Sequence, residues 1–113
     1  MELTDATFDT EINDATMPVV VEFWGSWCPP CKMMAPVIDQ LAEELDGTVK
    51  VCKLNIDRNR RVSNRFRVPG VPAILFFENG AVVRQEIGAK SYGQLKKIIG
   101  ECWPDIVPVG GSR

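Results

Sequence analysis

A chain of 113 residues that is 45% hydrophobic and 25% charged has the composition of one globular domain rather than of a disordered tail. Its formal net charge of −2 argues against a general role in binding nucleic acids, and it lacks a run of roughly 18–20 apolar residues of the kind that crosses a membrane. With four cysteines and no histidine, the chain cannot form a Cys–His or Ser–His nucleophilic pair or a Cys₂His₂ zinc site.

The first half of the chain alternates between strand and helix patterns. A rudimentary strand is expected at residues 2–4, and TDATFDTEIND, with a threonine as candidate cap, predicts a short helix within 4–14. The nearly continuous apolar run PVVVEFW (18–24) predicts a central strand covered on both faces. An apolar stripe in CKMMAPVIDQLAEEL (31–45) predicts an amphipathic helix.

The second half continues the alternation and ends with a hairpin and a helix. TVKVCKLNID (48–57) predicts a second buried strand, and a short arginine-rich helix follows at about 59–66. PAILFFENGAVVRQEIG (72–88) predicts a hairpin that turns at its Asn-Gly pair. SYGQLKKIIGEC (91–102) predicts a last amphipathic helix, capped by Ser91.

These elements predict an α/β fold with a mixed central sheet flanked by helices on both faces. Alternating strands and helices imply parallel pairing, and the hairpin adds an antiparallel edge. We expect one domain over residues 1–102. The tail over 103–113 contains two prolines and ends in Gly-Gly-Ser-Arg, so we expect it to be loosely ordered. The N-terminus is acidic and lacks an apolar signal region, which favours a cytoplasmic location.

The segment WGSWCPPCK (24–32) places Cys28 and Cys31 two residues apart, and three interpretations stay open for this pair. A zinc site needs four ligands, but Cys52 and Cys102 lie far apart in the sequence. A structural disulfide across so small a loop would constrain the unfolded chain very little. A redox pair is favoured, because Cys28 falls at a strand-to-helix junction where free backbone N–H groups stabilise a thiolate, and Cys31 follows one turn later.

Four segments resemble the thioredoxin family in order and spacing. They cover roughly residues 2–101 and read VVEFWGSWCPPCKMMAPVIDQLAEEL, VKVCKLNIDRN, VPGVPAILFFENG and IGAKSYGQLKKII. The resemblance implies a thioredoxin fold with a CPPC active site and the reduction of protein disulfides by dithiol–disulfide exchange. It also implies a protein with no bound cofactor or metal, which NADPH would re-reduce through thioredoxin reductase. The implied partners are that reductase and disulfide-containing proteins, with no nucleic acid or membrane, and the implied state is a monomer.

The resemblance also assigns roles to the cysteines and to two charged residues. Cys28 would attack the substrate disulfide and Cys31 would resolve the mixed disulfide. Glu22 stands where the family usually has aspartate; burial would raise its pKa, so that it could take a proton from Cys31 near neutral pH. Lys53 matches the lysine that the family places beside this acid. A buried Glu22 satisfied by pairing with Lys53, without a catalytic role, is the alternative.

A substrate-docking surface is implied around the cysteines. Val71-Pro72 resembles the segment that carries a cis proline in the family, and Val71 would offer its backbone to an added substrate strand. The residues implied in this surface and in the catalytic environment are Trp27, Pro29, Pro30, Gly70, Val71, Pro72, Gly88 and Ala89.

Two other functions stay open for the chain, and two interpretations stay open for its basic cluster. The protein could act as a thiol oxidant or isomerase, or as a non-catalytic thioredoxin-fold binding module, although the two cysteines and the buried acid argue against the module. The cluster DRNRRVSNRFRV (57–68) is typical of a solvated helix face, with a docking surface for an acidic partner as the second interpretation. Cys52 alternates with core residues and is expected to be buried, whereas Cys102 is a candidate exposed thiol.

Overall fold

The computed structural model describes residues 1–107, and within them the elements follow the predicted order β-α-β-α-β-α-β-β-α, which is confirmed. The elements are β1 (Glu2–Leu3), α1 (Phe8–Asn13), β2 (Val19–Trp24), α2 (Pro29–Glu44), β3 (Lys50–Asn55), α3 (Arg60–Phe66), β4 (Ala73–Glu78), β5 (Ala81–Ile87) and α4 (Tyr92–Cys102).

The strands form one five-stranded mixed sheet in the order β1-β3-β2-β4-β5. β3 pairs in parallel with both β1 and β2, whereas β4 pairs antiparallel with both β2 and β5. The predicted parallel sheet with an antiparallel edge is therefore confirmed. The register of β4 and β5 shifts between Phe76 and Phe77, at a β-bulge.

Burial on both faces of β2 divides the interior into two cores. On one face Val20 packs with residues of α2 and α4, and on the other face Val21 and Phe23 pack with residues of α1 and α3. Cys52 is 1% exposed within the second core, which confirms its prediction as a buried residue. The helices thus lie on both faces of the sheet, as the sequence pattern predicts.

Local signals set the ends of two helices. α2 begins at Pro29, two residues before the expected start, because prolines fit the first helical turn, where backbone N–H groups have no partner inside the helix. Ser91 caps α4: its hydroxyl accepts from the Gln94 N–H at 3.1 Å, and Gln94 Oε1 accepts from the Ser91 N–H at 2.8 Å. The Ser91 prediction is confirmed as a complete capping box.

The tight turn between β4 and β5 is the predicted Asn-Gly hairpin. Asn79 and Gly80 have φ angles of 53° and 82°, the left-handed values that this kind of two-residue turn requires. β5 therefore returns alongside β4 and becomes one edge of the sheet.

The chain after α4 packs more closely than the sequence suggests. Trp103 and Val107 are 5% and 6% exposed within the first core, and Trp103 Nε1 donates to Glu78 Oε1 at 3.3 Å. Trp103 continues the apolar spacing of Leu95 and Ile99, a pattern that the nearby prolines and glycines obscure. The expectation of a loose tail thus differs from the structure over 103–107, and its remainder, 108–113, lies outside the described residues.

Within residues 1–107, no helix combines the length and the apolar character needed to cross a membrane.

We predict that Trp103→Ala lowers the free energy of unfolding by about 3 kcal/mol, because it removes a large buried side chain and leaves a cavity against Phe76. Ile106→Ala is the matched control, since Ile106 is 44% exposed, and should cost less than about 1 kcal/mol. Urea unfolding of both variants measures the difference. Equal costs would mean that Trp103 contributes little to the core.

Candidate active site

Cys28 and Cys31 are joined in a disulfide at the start of α2, with their Cα atoms 5.3 Å apart. Cys28 is the N-cap of the helix, and its Sγ accepts a hydrogen bond from the Cys31 N–H at 3.2 Å. Pro29 and Pro30 have no N–H to donate, so the Cys31 N–H is the first backbone donor of α2. The helix terminus therefore directs an N–H group and the positive end of its dipole at Cys28.

The disulfide is nearly covered, but apolar side chains around it are exposed. Cys28 and Cys31 are only 3% and 4% exposed, whereas Trp27 is 61% and Met33 is 75% exposed. Met33 follows the motif on α2, on the side away from the core stripe that contains its buried neighbour Met34, and no sequence pattern marks it as functional. A protein that docks here would cover apolar surface at the edge of the disulfide.

Trp27 is fixed in place from two sides. Its Nε1 donates to Asp57 Oδ2 at 2.7 Å, and its ring lies so close to Gly25 that a Cβ there would be 2.8 Å from a ring carbon. Asn55 holds the loop that carries Asp57, because its Oδ1 accepts from the N–H groups of Asp57 and Arg58 at 2.9 and 3.1 Å. No sequence signal marks Asp57 for this contact, since only the tertiary fold brings it to the tryptophan.

The predicted docking residues from the second half of the chain come to the same place. The Val71–Pro72 bond is cis, as the resemblance implies, and the Val71 carbonyl oxygen lies 3.8 Å from Cys28 Sγ. The Gly88 N–H donates to the Pro72 carbonyl at 2.8 Å, which holds the end of β5 beside this segment. Gly70 and Ala89 directly adjoin these residues in the chain, and a docking role for this group stays a prediction.

Glu22 lies away from that surface, inside the sheet. It is 1% exposed, and its Oε2 has no hydrogen-bond partner among the protein atoms of residues 1–107. Burial raises the pKa of Glu22 to about 7, because desolvation disfavours the charged form more than the positive charge of Lys53 favours it. Glu22 shares its face of the sheet with Val20, the face that α2 covers.

Lys53 lies beside Glu22 in the parallel register of β2 and β3, but the two make no ion pair within 4 Å among the described residues. Instead, Lys53 Nζ lies 5.6 Å from the ring centroid of Trp24. Trp24 Nε1 donates to Glu2 Oε2 at 3.0 Å. The backbone of Glu2 lies beside that of Lys53 in the parallel register of β1 and β3. Glu22 is therefore a buried acid beside Lys53, whose ammonium group lies over the Trp24 ring.

The remaining cysteines do not join the pair. Cys52 is buried in the second core and Cys102 is half-buried at the end of α4, and burial raises the pKa of both thiols. Residues 1–107 contain no group of three or more His, Cys, Asp or Glu side chains arranged to hold a metal ion.

Comparisons with known proteins agree with this geometry. The sequence profile of the thioredoxin family matches residues 1–101. The chain is 43% identical to thioredoxin of Pseudomonas aeruginosa over 95 residues, which cover 84% of this chain and 88% of that protein. It is 39% identical to thioredoxin of Haemophilus influenzae over 101 residues, 89% of this chain and 94% of that one. It is also 35% identical to the bifunctional thioredoxin reductase/thioredoxin of Mycobacterium leprae over 106 residues, 94% of this chain and 23% of that protein.

We predict that Glu22→Gln removes a pH-dependent loss of stability. Because the native pKa of Glu22 is raised from 4.5 to about 7, the proton on this group stabilises the fold below about pH 4.5, and this stabilisation is lost as the pH rises through about 7. The shift corresponds to about 3 kcal/mol. Between about pH 4.5 and 8, the free energy of unfolding measured in urea should fall in the wild type. In the variant it should fall by about 3 kcal/mol less.

Glu43→Gln serves as the matched control, because Glu43 lies on the exposed side of α2 and should leave the pH profile of stability unchanged. Identical profiles for Glu22→Gln and the wild type would show that Glu22 is well solvated or paired.

Proposed function

This chain belongs to the thioredoxin family of protein-disulfide oxidoreductases, and on that premise we propose that Cys28 attacks substrate disulfides and Cys31 resolves them. The observation that carries the assignment is the helix start: Cys28 accepts the Cys31 N–H at 3.2 Å, which would stabilise a thiolate on Cys28. Cys31 lies inside the first turn of α2 and is bonded to Cys28 Sγ, which places it to resolve a mixed disulfide on Cys28.

The proposed reaction moves two electrons to the substrate in two exchanges. The Cys28 thiolate forms a bond to one substrate sulfur, and the other substrate sulfur leaves as a thiolate. Cys31 then loses its proton and attacks Cys28 Sγ. The Cys28–Cys31 disulfide forms, and the first substrate sulfur is released as the second thiolate.

Glu22 is proposed as the group that accepts the Cys31 proton. A general base works best when its pKa lies near the operating pH, and the pKa of Glu22 is about 7. The face of β2 that carries Glu22 packs against α2, which carries Cys31. Lys53 would tune this proton transfer by lowering the pKa of the acid.

Substrate docking is proposed on the surface formed by Trp27, Pro29, Pro30, Gly70, Val71, Pro72, Gly88 and Ala89. The closeness of the Val71 carbonyl to Cys28 Sγ, at 3.8 Å, supports a substrate strand that pairs with Val71 while its disulfide lies over Cys28. Exposed Trp27 and Met33 would add apolar contacts.

We further propose that a thioredoxin reductase restores the dithiol with electrons from NADPH, in the cytoplasm, and that the protein acts as a monomer without a bound cofactor. The relative from Mycobacterium leprae, whose name joins a thioredoxin reductase and a thioredoxin in one chain, supports this partner. Turnover of insulin with NADPH and a bacterial thioredoxin reductase is the direct test. Failure to consume NADPH while dithiothreitol still supports turnover would reject this partner alone.

We predict that Cys28→Ser abolishes disulfide reduction, and that Cys31→Ser accumulates mixed disulfides because nothing resolves them. Mass spectrometry of each variant after mixing with oxidised insulin gives the answer. A substrate adduct on Cys28→Ser, and none on Cys31→Ser, would reverse the two roles.

We also predict a reduction potential between about −250 and −310 mV, in the range of thioredoxin at about −270 mV and far from the oxidising periplasmic members at about −120 mV. Oxidants hold the thiolate tightly, but Pro29 and Pro30 cannot donate an N–H to Cys28. Pro29→Ala is the matched variant. The N–H it restores, worth about 1.5–3 kcal/mol if it reaches the sulfur, should raise the potential by roughly 30–60 mV.

Equilibration with glutathione measures both potentials. A wild-type value above about −200 mV would favour the thiol oxidant or isomerase function over the reductase.

A further inference from the structure

The basic cluster divides into two parts that the sequence does not distinguish. Arg61 and Arg65 are held by the N-terminal segment: Arg61 donates to Asp5, which precedes α1, and Arg65 donates to Asp9 of α1 at 2.9 Å. Arg58, Arg60 and Arg67 make no ion pair among the described residues, and Arg58 lines a different groove, beside β1. Fold stability therefore accounts for Arg61 and Arg65 and leaves Arg60 and Arg67 unexplained.

Arg60 and Arg67 lie together in a groove beside the candidate active site. The groove, of about 280 Å³, runs between α3 and the segment after β3, and Asp57, Ser63 and Asn64 also line it. Asp57 already accepts from Trp27 Nε1 at 2.7 Å, so the wall of the groove is continuous with the tryptophan next to Cys28. In this groove the positive charges of Arg60 and Arg67 accompany the negative charge of Asp57, whose carboxylate already accepts a hydrogen bond from Trp27.

The backbone at Arg67 gives a second reason to look for a role of this side chain. Arg67 follows α3 with a φ angle of 51°, the left-handed conformation that glycine adopts much more readily than arginine. The Arg67 N–H still donates to the Ser63 carbonyl at 3.1 Å. Glycine would make that same backbone bond, so the helix end does not require the guanidinium.

The groove lies close in sequence to Val71, where the substrate strand is proposed to pair. Arg67 is four residues before Val71, whose carbonyl oxygen lies 3.8 Å from Cys28 Sγ. Four residues span at most about 14 Å, little more than the Debye length of ~10 Å at 0.1 M salt. A substrate chain that follows Val71 would reach the groove within about four residues of its disulfide.

We propose that this groove selects substrates that carry an aspartate or glutamate within about four residues of the attacked cysteine. The inference rests on the proposed reductase function and names its substrate class. A chain with a net charge of −2 repels acidic proteins as a whole. A local pair of arginines beside the reaction centre reverses that repulsion where the substrate must align.

The test uses two synthetic peptides that each hold one intramolecular disulfide. They are identical except that two glutamates close to the attacked cysteine in one peptide are glutamines in the other. The protein is reduced with dithiothreitol, freed of it, and mixed with each peptide in single turnover. At about 20 mM salt the acidic peptide should react three- to tenfold faster, the range that two exposed ion pairs support, and this preference should vanish at about 500 mM salt.

Variants separate recognition from folding. The double variant Arg60→Gln, Arg67→Gln should reduce the acidic peptide no faster than the neutral one. Lys97→Gln is the control of equal charge change: Lys97 is exposed on α4, across the sheet from α3, and the preference should survive. Arg67→Gly and Arg67→Gln should weaken the preference equally, and only Arg67→Gly should raise the urea midpoint, because glycine relieves the backbone.

Each contrary outcome has a definite meaning. Equal rates of the wild type on both peptides would overturn the groove and leave the reductase function standing, whereas no reduction of either peptide would overturn both. A preference that survives in the double variant, or that Lys97→Gln removes equally, would also overturn the groove. If the arginine variants instead raise the KM for the reductase and leave the peptide preference unchanged, the groove binds the reductase and the substrate assignment is wrong.

Discussion

Burial of β2 on both faces is the constraint on which the rest of this structure depends. The strand lies in the middle of the sheet, so its alternate side chains must fill two separate cores, one beneath α2 and α4 and one above α1 and α3. Its end delivers the chain directly to Cys28 at the start of α2. The same burial places Glu22 in an apolar setting and raises its pKa to about 7. β2 therefore both leads the chain to Cys28 and, through its burial, raises the pKa of Glu22.

The surface around the disulfide is assembled from parts that fold by different means. Trp27 depends on a side-chain hydrogen bond to Asp57 and on the missing Cβ of Gly25. The segment that carries Val71 depends on backbone pairing with the end of β5. Because these supports are independent of the two cysteines, the apolar surface does not rely on the disulfide for its shape. Such preorganisation would suit the proposed docking of partners in both redox states.

Sequence alone predicts those features that local pattern determines. The element order, the Asn79-Gly80 turn, the Ser91 cap and the burial of β2 on both faces follow from sequence patterns and from residues close in the chain, and the structure confirms them. Contacts between distant segments could not be predicted. The hydrogen bonds of Trp27 with Asp57 and of Trp24 with Glu2 join residues far apart in sequence, and the packing of Trp103 depends on where α4 meets the sheet. The division of the arginines into paired and unpaired groups likewise depends on where α1 lies.

Both edge strands of the sheet, β1 and β5, have features that oppose pairing with strands of other molecules. If a substrate strand pairs near Val71 as proposed, the protein must avoid pairing strands elsewhere, because an open edge invites association with other copies. β1 is only two residues long, too short to act as a template. β5 is longer and exposes Val82 and Val83, but the bulge opposite Phe76 and Phe77 breaks its register there. Further along β5, Arg84 joins Glu86 and Glu101 in ion pairs. The bulge and these charges oppose edge-to-edge pairing along β5.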